Sequence, residues 1–172
     1  DNNPVMFIEH RHLYYQKGYV PQESYTVPFG KARTLANGKD ITLVGISQMA
    51  VECLRASRYL QEAGIHADVI DPVSLYPLDI DAIMASVSKT GKLIIVDNAW
   101  MPCGAGAEII AQIAEKNLHK DIEVHRMGFA FVPCPTTSSL EQHFYPDAKK
   151  IALKAYEMLN PRKHWEPTSK LQ

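Results

Sequence analysis

The chain has 172 residues, 18 Lys+Arg against 19 Asp+Glu for a formal charge of −1, and hydrophobic and charged fractions of 46% and 22%. Length and composition fit one ordinary globular domain with a linker or tail. They exclude a disordered chain, a small scaffold stapled by disulfides and, through the balanced charge, a dedicated nucleic-acid binder. No apolar run reaches the roughly 18 residues that span a bilayer. The start, Asp1-Asn2-Asn3-Pro4, lacks an initiator Met and a signal peptide and reads as the middle of a longer gene. Three widely spaced cysteines, Cys53, Cys103 and Cys134, form no Cys-x-x-Cys pair, which points to unpaired thiols in a reducing compartment.

In chain order, Val5-Met6-Phe7-Ile8-Glu9 predicts a short strand. Residues 10–29 read as irregular, broken by Gly18, Pro21 and Pro28. Lys31 to Leu35 predicts an edge piece closed by the Asn37-Gly38 turn. The β-branched run 41–46 predicts a strand covered on both faces. Met49, Cys53, Ala56 and Leu60 then mark a helix over 48–63, with Ser47 as N-cap, Glu52, Arg55, Arg58 and Glu62 off the stripe, and Gly64 as the stop.

Ala67 to Ile70 predicts the next strand. Ile80, Ile83, Met84 and Val87 predict a helix ended by Gly91, and Leu93 to Val96 a further strand. A loop from Asp97 to Pro102 leads through Gly104-Ala105-Gly106 into a helix with Ile109, Ile110, Ile113, Ala114 and Leu118 inward. Residues 122–126 predict a strand. Residues 128–146 predict a long loop holding a short helix near Ser139. The last helix, 147–159, buries Ala148, Ile151, Ala152, Ala155, Tyr156 and Leu159; after Pro161 the tail reads as polar and mobile. Alternating strands and helices predict a three-layer α/β/α sandwich with a mainly parallel sheet.

Taken singly, the motifs are thin. There is no Gly-x-Gly-x-x-Gly after the first core strand, no nucleoside-triphosphate P-loop and no Gly-x-Ser-x-Gly elbow. Gly104 and Gly106 at a helix start suit either an anion held on backbone N–H groups or a tight turn with close helix–sheet packing. His10 and His12 beside Glu9 carry metal-ligand chemistry but lack a third ligand at a fitting spacing, so they read as loop residues. His119 and His125 fall at a helix end and on a strand. Catalytic and metal-ligating residues are expected to be absent. Tyr14, Tyr15, Phe129 and Phe131, in segments whose period does not place them in a core, are candidates for an interface.

The ordered string of motifs carries more. Asn3-Pro4-Val5-Met6-Phe7-Ile8-Glu9-His10, Val27-Pro28-Phe29-Gly30-Lys31-Ala32 and Gly38-Lys39-Asp40-Ile41-Thr42-Leu43-Val44 resemble successive segments of 2-oxo acid dehydrogenase beta subunits. So do Val69-Ile70-Asp71 followed by Pro77-Leu78-Asp79, Lys89-Thr90-Gly91-Lys92-Leu93, Gly104-Ala105-Gly106-Ala107-Glu108-Ile109 and Val132-Pro133-Cys134-Pro135. Departures are Val73 and Tyr76, where many members carry Arg, and Cys103, where the family's Gly-Gly-x-Gly-Ala-Glu run begins with Gly.

The resemblance, over roughly residues 3–160, implies a C-terminal domain shared with transketolase and deoxyxylulose-phosphate synthase. It implies a five-stranded sheet with one antiparallel strand, an entry segment 1–29, a domain 30–160 and a tail 161–172. It further implies that thiamine diphosphate and Mg belong to the full enzyme and not to this chain, whose isolated form is expected to be inactive. The implied partners are an alpha subunit, a second beta subunit and a dihydrolipoyl acyltransferase core, with neither nucleic acid nor membrane. The implied location is cytoplasmic, or the mitochondrial matrix or plastid. The alternatives are the same domain of a transketolase-type transferase, or a stand-alone anion- or nucleotide-binding module.

Overall fold

The computed structural model describes residues 2–116 and 121–168. Five strands, β1 (Arg33–Ala36), β2 (Ile41–Gly45), β3 (Ala67–Asp71), β4 (Lys92–Val96) and β5 (Glu123–Met127), form one sheet in the order β1-β3-β2-β4-β5. β1 runs antiparallel to β3 with a register shift between Thr34 and Ala36, and the other pairs are parallel. This is the expected mixed sheet with a single antiparallel strand.

The helices are α1 (Gln48–Glu62), α2 (Ile80–Thr90), α3 (Ala105–Lys116), α4 (Ser138–Phe144) and α5 (Ala148–Leu159). Side chains alternate across a strand, so each central strand feeds two cores. Ile41, Leu43, Val69, Ile94 and Val96 pack with Met49, Cys53 and Leu60 of α1 and Ile151 and Ala155 of α5. Val44, Ile70, Leu93 and Ile95 pack with Ile83 and Val87 of α2 and Ile109 and Ile113 of α3. Both faces of the sheet are therefore dry, which is why β2 and β4 read as unbroken apolar runs.

Local chemistry fixes the helix ends. The Asp79 carboxylate caps α2 by accepting from Ala82 N at 3.3 Å, and also accepts from Ala32 N at 3.0 Å, tying β1's approach to α2. Gly91 ends α2 at φ 68°, the left-handed conformation that glycine adopts without a steric penalty. Asp147 caps α5 by accepting from Lys150 N at 2.8 Å. Below the sheet, at the N-terminal ends of the strands, buried Asp68 accepts from Ser86 Oγ at 2.6 Å and pairs with Lys89 Nζ at 2.6 Å. Thr42 joins Ser86 and Thr90 at 2.7 Å each, so the buried hydroxyls are satisfied.

Several expectations are corrected. Residues 5–9 pair with no strand of this sheet, because its five strands close without them. A 3₁₀ turn, Arg11–Tyr15, falls within 10–29. Ser47 stands at the α1 N-cap position but makes no capping bond there, since its backbone lies at φ 56°, ψ −124° instead of extended. Ala114 is exposed, because α3 presents only Gly106, Ile109 and Ile113 to the deep core. The tail is anchored as far as 168: Trp165 stacks on Tyr156 with centroids 5.1 Å apart, and Thr168 N and Oγ1 donate to Glu62 Oε2 at 2.9 and 2.8 Å. Glu52 is buried, not off the stripe. Leu118 and His119 lie outside the described residues.

Candidate functional site

After β2 the chain moves through α1 to β3 on one side, and after β4 through α3 to β5 on the other. The reversal falls between β2 and β4, and the crevice at their C-terminal ends is where open α/β sheets bind ligands. Here Asn98 Nδ2 donates to Gln48 Oε1 at 2.8 Å, and Gln48 Nε2 reaches Glu52 Oε1 at 3.5 Å. Glu52 Oε1 also accepts from Arg55 Nη1 at 2.8 Å, and its Oε2 accepts from Ala148 N, the first N–H of α5, at 3.0 Å. The relay therefore ties the turns after β2 and β4 to the start of α5. A cleft of about 530 Å3 opens beside it, walled by residues 9–12, Gln48, Glu141, Tyr145 and Asp147.

Two carboxyls that follow strands at this end of the sheet, at the ends of β3 and β4, are shifted. Burial pushes the Asp71 carboxyl up, opposed by the Val73 N–H and the Arg33 charge. Burial likewise pushes Asp97 up, opposed by the Asn98 N–H. Three non-glycine residues with positive φ also gather in these loops: Ser47 after β2 (56°), Val73 after β3 (61°) and Cys103 after β4 (58°).

Cys103 stands where the resembling family carries its first glycine, and its left-handed backbone supplies the reason, since a Cβ there costs roughly 1–2 kcal/mol. Cys103→Gly is expected to raise stability by about 0.5–1 kcal/mol, because part of the relief is offset by greater freedom of the unfolded chain; a urea titration reads it as a higher midpoint. Gly104 sits where a Cβ would collide with the Trp100 carbonyl. At Gly106 a Cβ would lie 3.2 Å from Ile95 Cγ2 and 3.7 Å from Arg126 Cδ, between α3 and the sheet. The space beneath this turn is about 10 Å3, room for a single water. Gly106→Val is expected to cost about 1–3 kcal/mol. Phosphate would raise the melting temperature of the parent but not of the variant if the turn also holds an anion. An unchanged midpoint without a phosphate effect contradicts both roles.

The four interface candidates are placed differently. Tyr15 and Phe131 are 86% and 79% exposed, and Tyr14 is exposed with its phenol pushed up by its hydrogen bond with Glu9. Phe129 is half-buried: it stacks on Phe144 at 4.8 Å and meets Trp100 and Tyr145 edge-on at 5.7 and 5.3 Å. This satellite cluster fastens the 128–137 loop and α4 to the end of β4. It collects rings from the loops after β4 and β5 and from the end of α4, which sequence spacing does not bring together. Glu52 stands three residues after Met49 at the edge of the buried stripe of α1, a position its charge masks in the sequence.

His10 and His12 meet edge-on at 5.3 Å, and His10 Nδ1 accepts from His12 N at 3.3 Å. Among the described residues no three His, Cys, Asp or Glu side chains converge as a metal site. His125 lies on β5 with its pKa lowered by burial and by Lys154. Cys53 is buried, its thiol pushed up by desolvation and by Glu52, whereas Cys103 and Cys134 are exposed. Among the described residues no helix is long and apolar enough to cross a membrane.

Residues 30–151 match the family model described as "Transketolase, C-terminal domain". The chain is 39% identical over 160 residues to the acetoin:2,6-dichlorophenolindophenol oxidoreductase subunit beta of Bacillus subtilis, covering 92% of this chain and 47% of that one. It is 41% identical over 143 residues to the pyruvate dehydrogenase E1 component subunit beta of Porphyra purpurea, covering 83% and 43%. It thus spans about half the length of the curated relatives it matches. A solved structure titled "Split gene transketolase, inactive beta4 tetramer" shares the fold, with TM-score 0.71 at 24% identity, covering 87% of this chain and 48% of that one. The five-stranded mixed sheet, the glycine turn opening α3 and a match over most of the chain agree: the chain belongs to the transketolase C-terminal domain family, in the form found in pyruvate and acetoin dehydrogenase beta subunits.

Proposed function

We propose that this chain is the C-terminal domain of a beta subunit of a thiamine diphosphate-dependent 2-oxo acid dehydrogenase of pyruvate or acetoin type. Its role is to build subunit interfaces and to dock partners. The carrying observation is the solvent face: Tyr15, Tyr19, Phe29, Tyr76 and Phe131 are each at least 79% exposed, more aromatic surface than a monomer ordinarily leaves in water. The domain proper is 30–160, with 1–29 as the entry segment. Tyr14, Tyr15 and Phe131 belong to the interface, with Phe129 supporting it from behind. The partners are an alpha subunit, a second beta subunit and an acyltransferase core.

In this reading thiamine diphosphate and its magnesium belong to the full enzyme and not to this chain, whose sequence carries no diphosphate-binding motif. In calorimetric titration with thiamine diphosphate and magnesium, the chain alone is expected to give no saturable heat and to leave pyruvate unconsumed. Micromolar binding at a defined site would overturn this reading.

A further inference from the structure

We propose that the outer face of α1 and α5 is a binding groove for a short extended peptide, and that the chain's own residues 165–168 are its resident ligand. α1 and α5 pack side by side, and Tyr59, Ala63, Tyr156 and Leu159 lie half-buried against the core they share. The chain turns after α5, where Lys163 N donates to Asn160 O at 3.0 Å, and comes back over this face. Trp165 stacks on Tyr156 with centroids 5.1 Å apart and packs against the same core. Glu166 Oε2 lies 3.7 Å from Lys149 Nζ. Thr168 N and Oγ1 both donate to Glu62 Oε2, at 2.9 and 2.8 Å.

Two features distinguish this segment from fixed tertiary packing. Among the described residues, 164–168 make no backbone–backbone hydrogen bond, so the segment is held by its side chains and by the Thr168 N–H. A segment held in that way is exchangeable, because the same pockets and charges can receive an equivalent one. The two charges that meet the tail also stand at the wrong ends of their helices. Glu62 is the last residue of α1 and Lys149 the second of α5, where the macrodipole disfavours an acid and a base respectively. Each meets a tail group of matching chemistry instead. Pro167 restricts the backbone between the acid and the hydroxyl, which lowers the cost of ordering the segment. The ligand class is thus an extended segment that presents an aromatic ring, then a carboxylate, then a hydroxyl and an N–H donor. A partner chain carrying that order takes the groove by displacing the tail. The groove belongs to this chain alone and does not depend on the beta-subunit reading.

The probe is a synthetic peptide of residues 161–168. It is titrated calorimetrically into the full chain and into the full chain carrying Trp165→Ala and Thr168→Ala, whose own tail no longer competes. An attached tail competes at a local concentration on the order of millimolar, so the peptide is expected to bind the variant at least about tenfold more tightly than the parent. The peptide with Trp165→Ala is expected not to bind. Glu62→Lys added to the variant is expected to weaken the peptide, and Thr168→Asp in the peptide to recover the binding. Equal affinity for parent and variant, or no binding to a folded variant, overturns the groove. So does a Glu62→Lys chain that binds both peptides alike. A second measurement needs no change in the tail: the Thr168 amide of the parent is expected to exchange at least about tenfold more slowly than that of the Glu62→Lys chain. An equal rate overturns the contact on which the groove rests.

Discussion

Glu52→Ala is expected to destabilise the chain by about 2–4 kcal/mol, read as a lower urea midpoint at unchanged slope. Glu52 is 8% exposed, and its carboxylate accepts from Arg55 Nη1 at 2.8 Å, Ala148 N at 3.0 Å and Gln48 Nε2 at 3.5 Å. Alanine would strand the buried N–H at the start of α5 and leave a void beside it. That end matters because Ile151, Ala152 and Ala155 of α5 close one whole face of the sheet. Glu52→Gln keeps a carbonyl oxygen for Ala148 and should lose less. Arg55→Ala should cost no more than about 1 kcal/mol, since the Arg55 side chain is 34% exposed and its pairing is screened by water.

Gly45→Ala is expected to cost about 3–5 kcal/mol, or to abolish soluble expression. Gly45 ends β2, and a Cβ there would collide with the Met49 carbonyl and come within 2.5 Å of Ala50 N. Those atoms are the backbone of α1's first turn, which cannot swing aside as a side chain would. Yielding would shift α1 from β2 and open the core around Met49 and Cys53. Gly64→Ala is the useful contrast. At φ 71° with open space around it, its penalty is the left-handed backbone alone, about 1 kcal/mol.

The parts of the fold legible in the sequence are those whose cause is local. β2 and β4 announced themselves as apolar runs, and α2 carried its own cap and stop in Asp79 and Gly91. What escaped depended on distant partners. Residues 5–9 have the local signature of a strand, yet they pair with none of the five strands and Val5 to Ile8 stay exposed. Glu52 looked like a solvent-facing acid until α5 brought Ala148 N to it, 96 residues away. The tail read as polar because one Trp165 among charges carries little periodic signal, yet it found Tyr156 one helix back. The site was less legible still. Its relay joins Gln48 to Asn98, and its aromatic cluster joins Trp100, Phe129 and Phe144, contacts set by topology and not by spacing.

The positive-φ side chains at Ser47, Val73 and Cys103 set the two ends of the sheet apart. Among the described residues the non-glycine positive-φ positions all fall in the loops after β2, β3 and β4, while the opposite end is locked by the network around Asp68. A loop that already tolerates a β-branched residue at φ 61° has stability to regain, not only to lose, when it changes. The loops at this end can therefore be redesigned for stability without renegotiating the core.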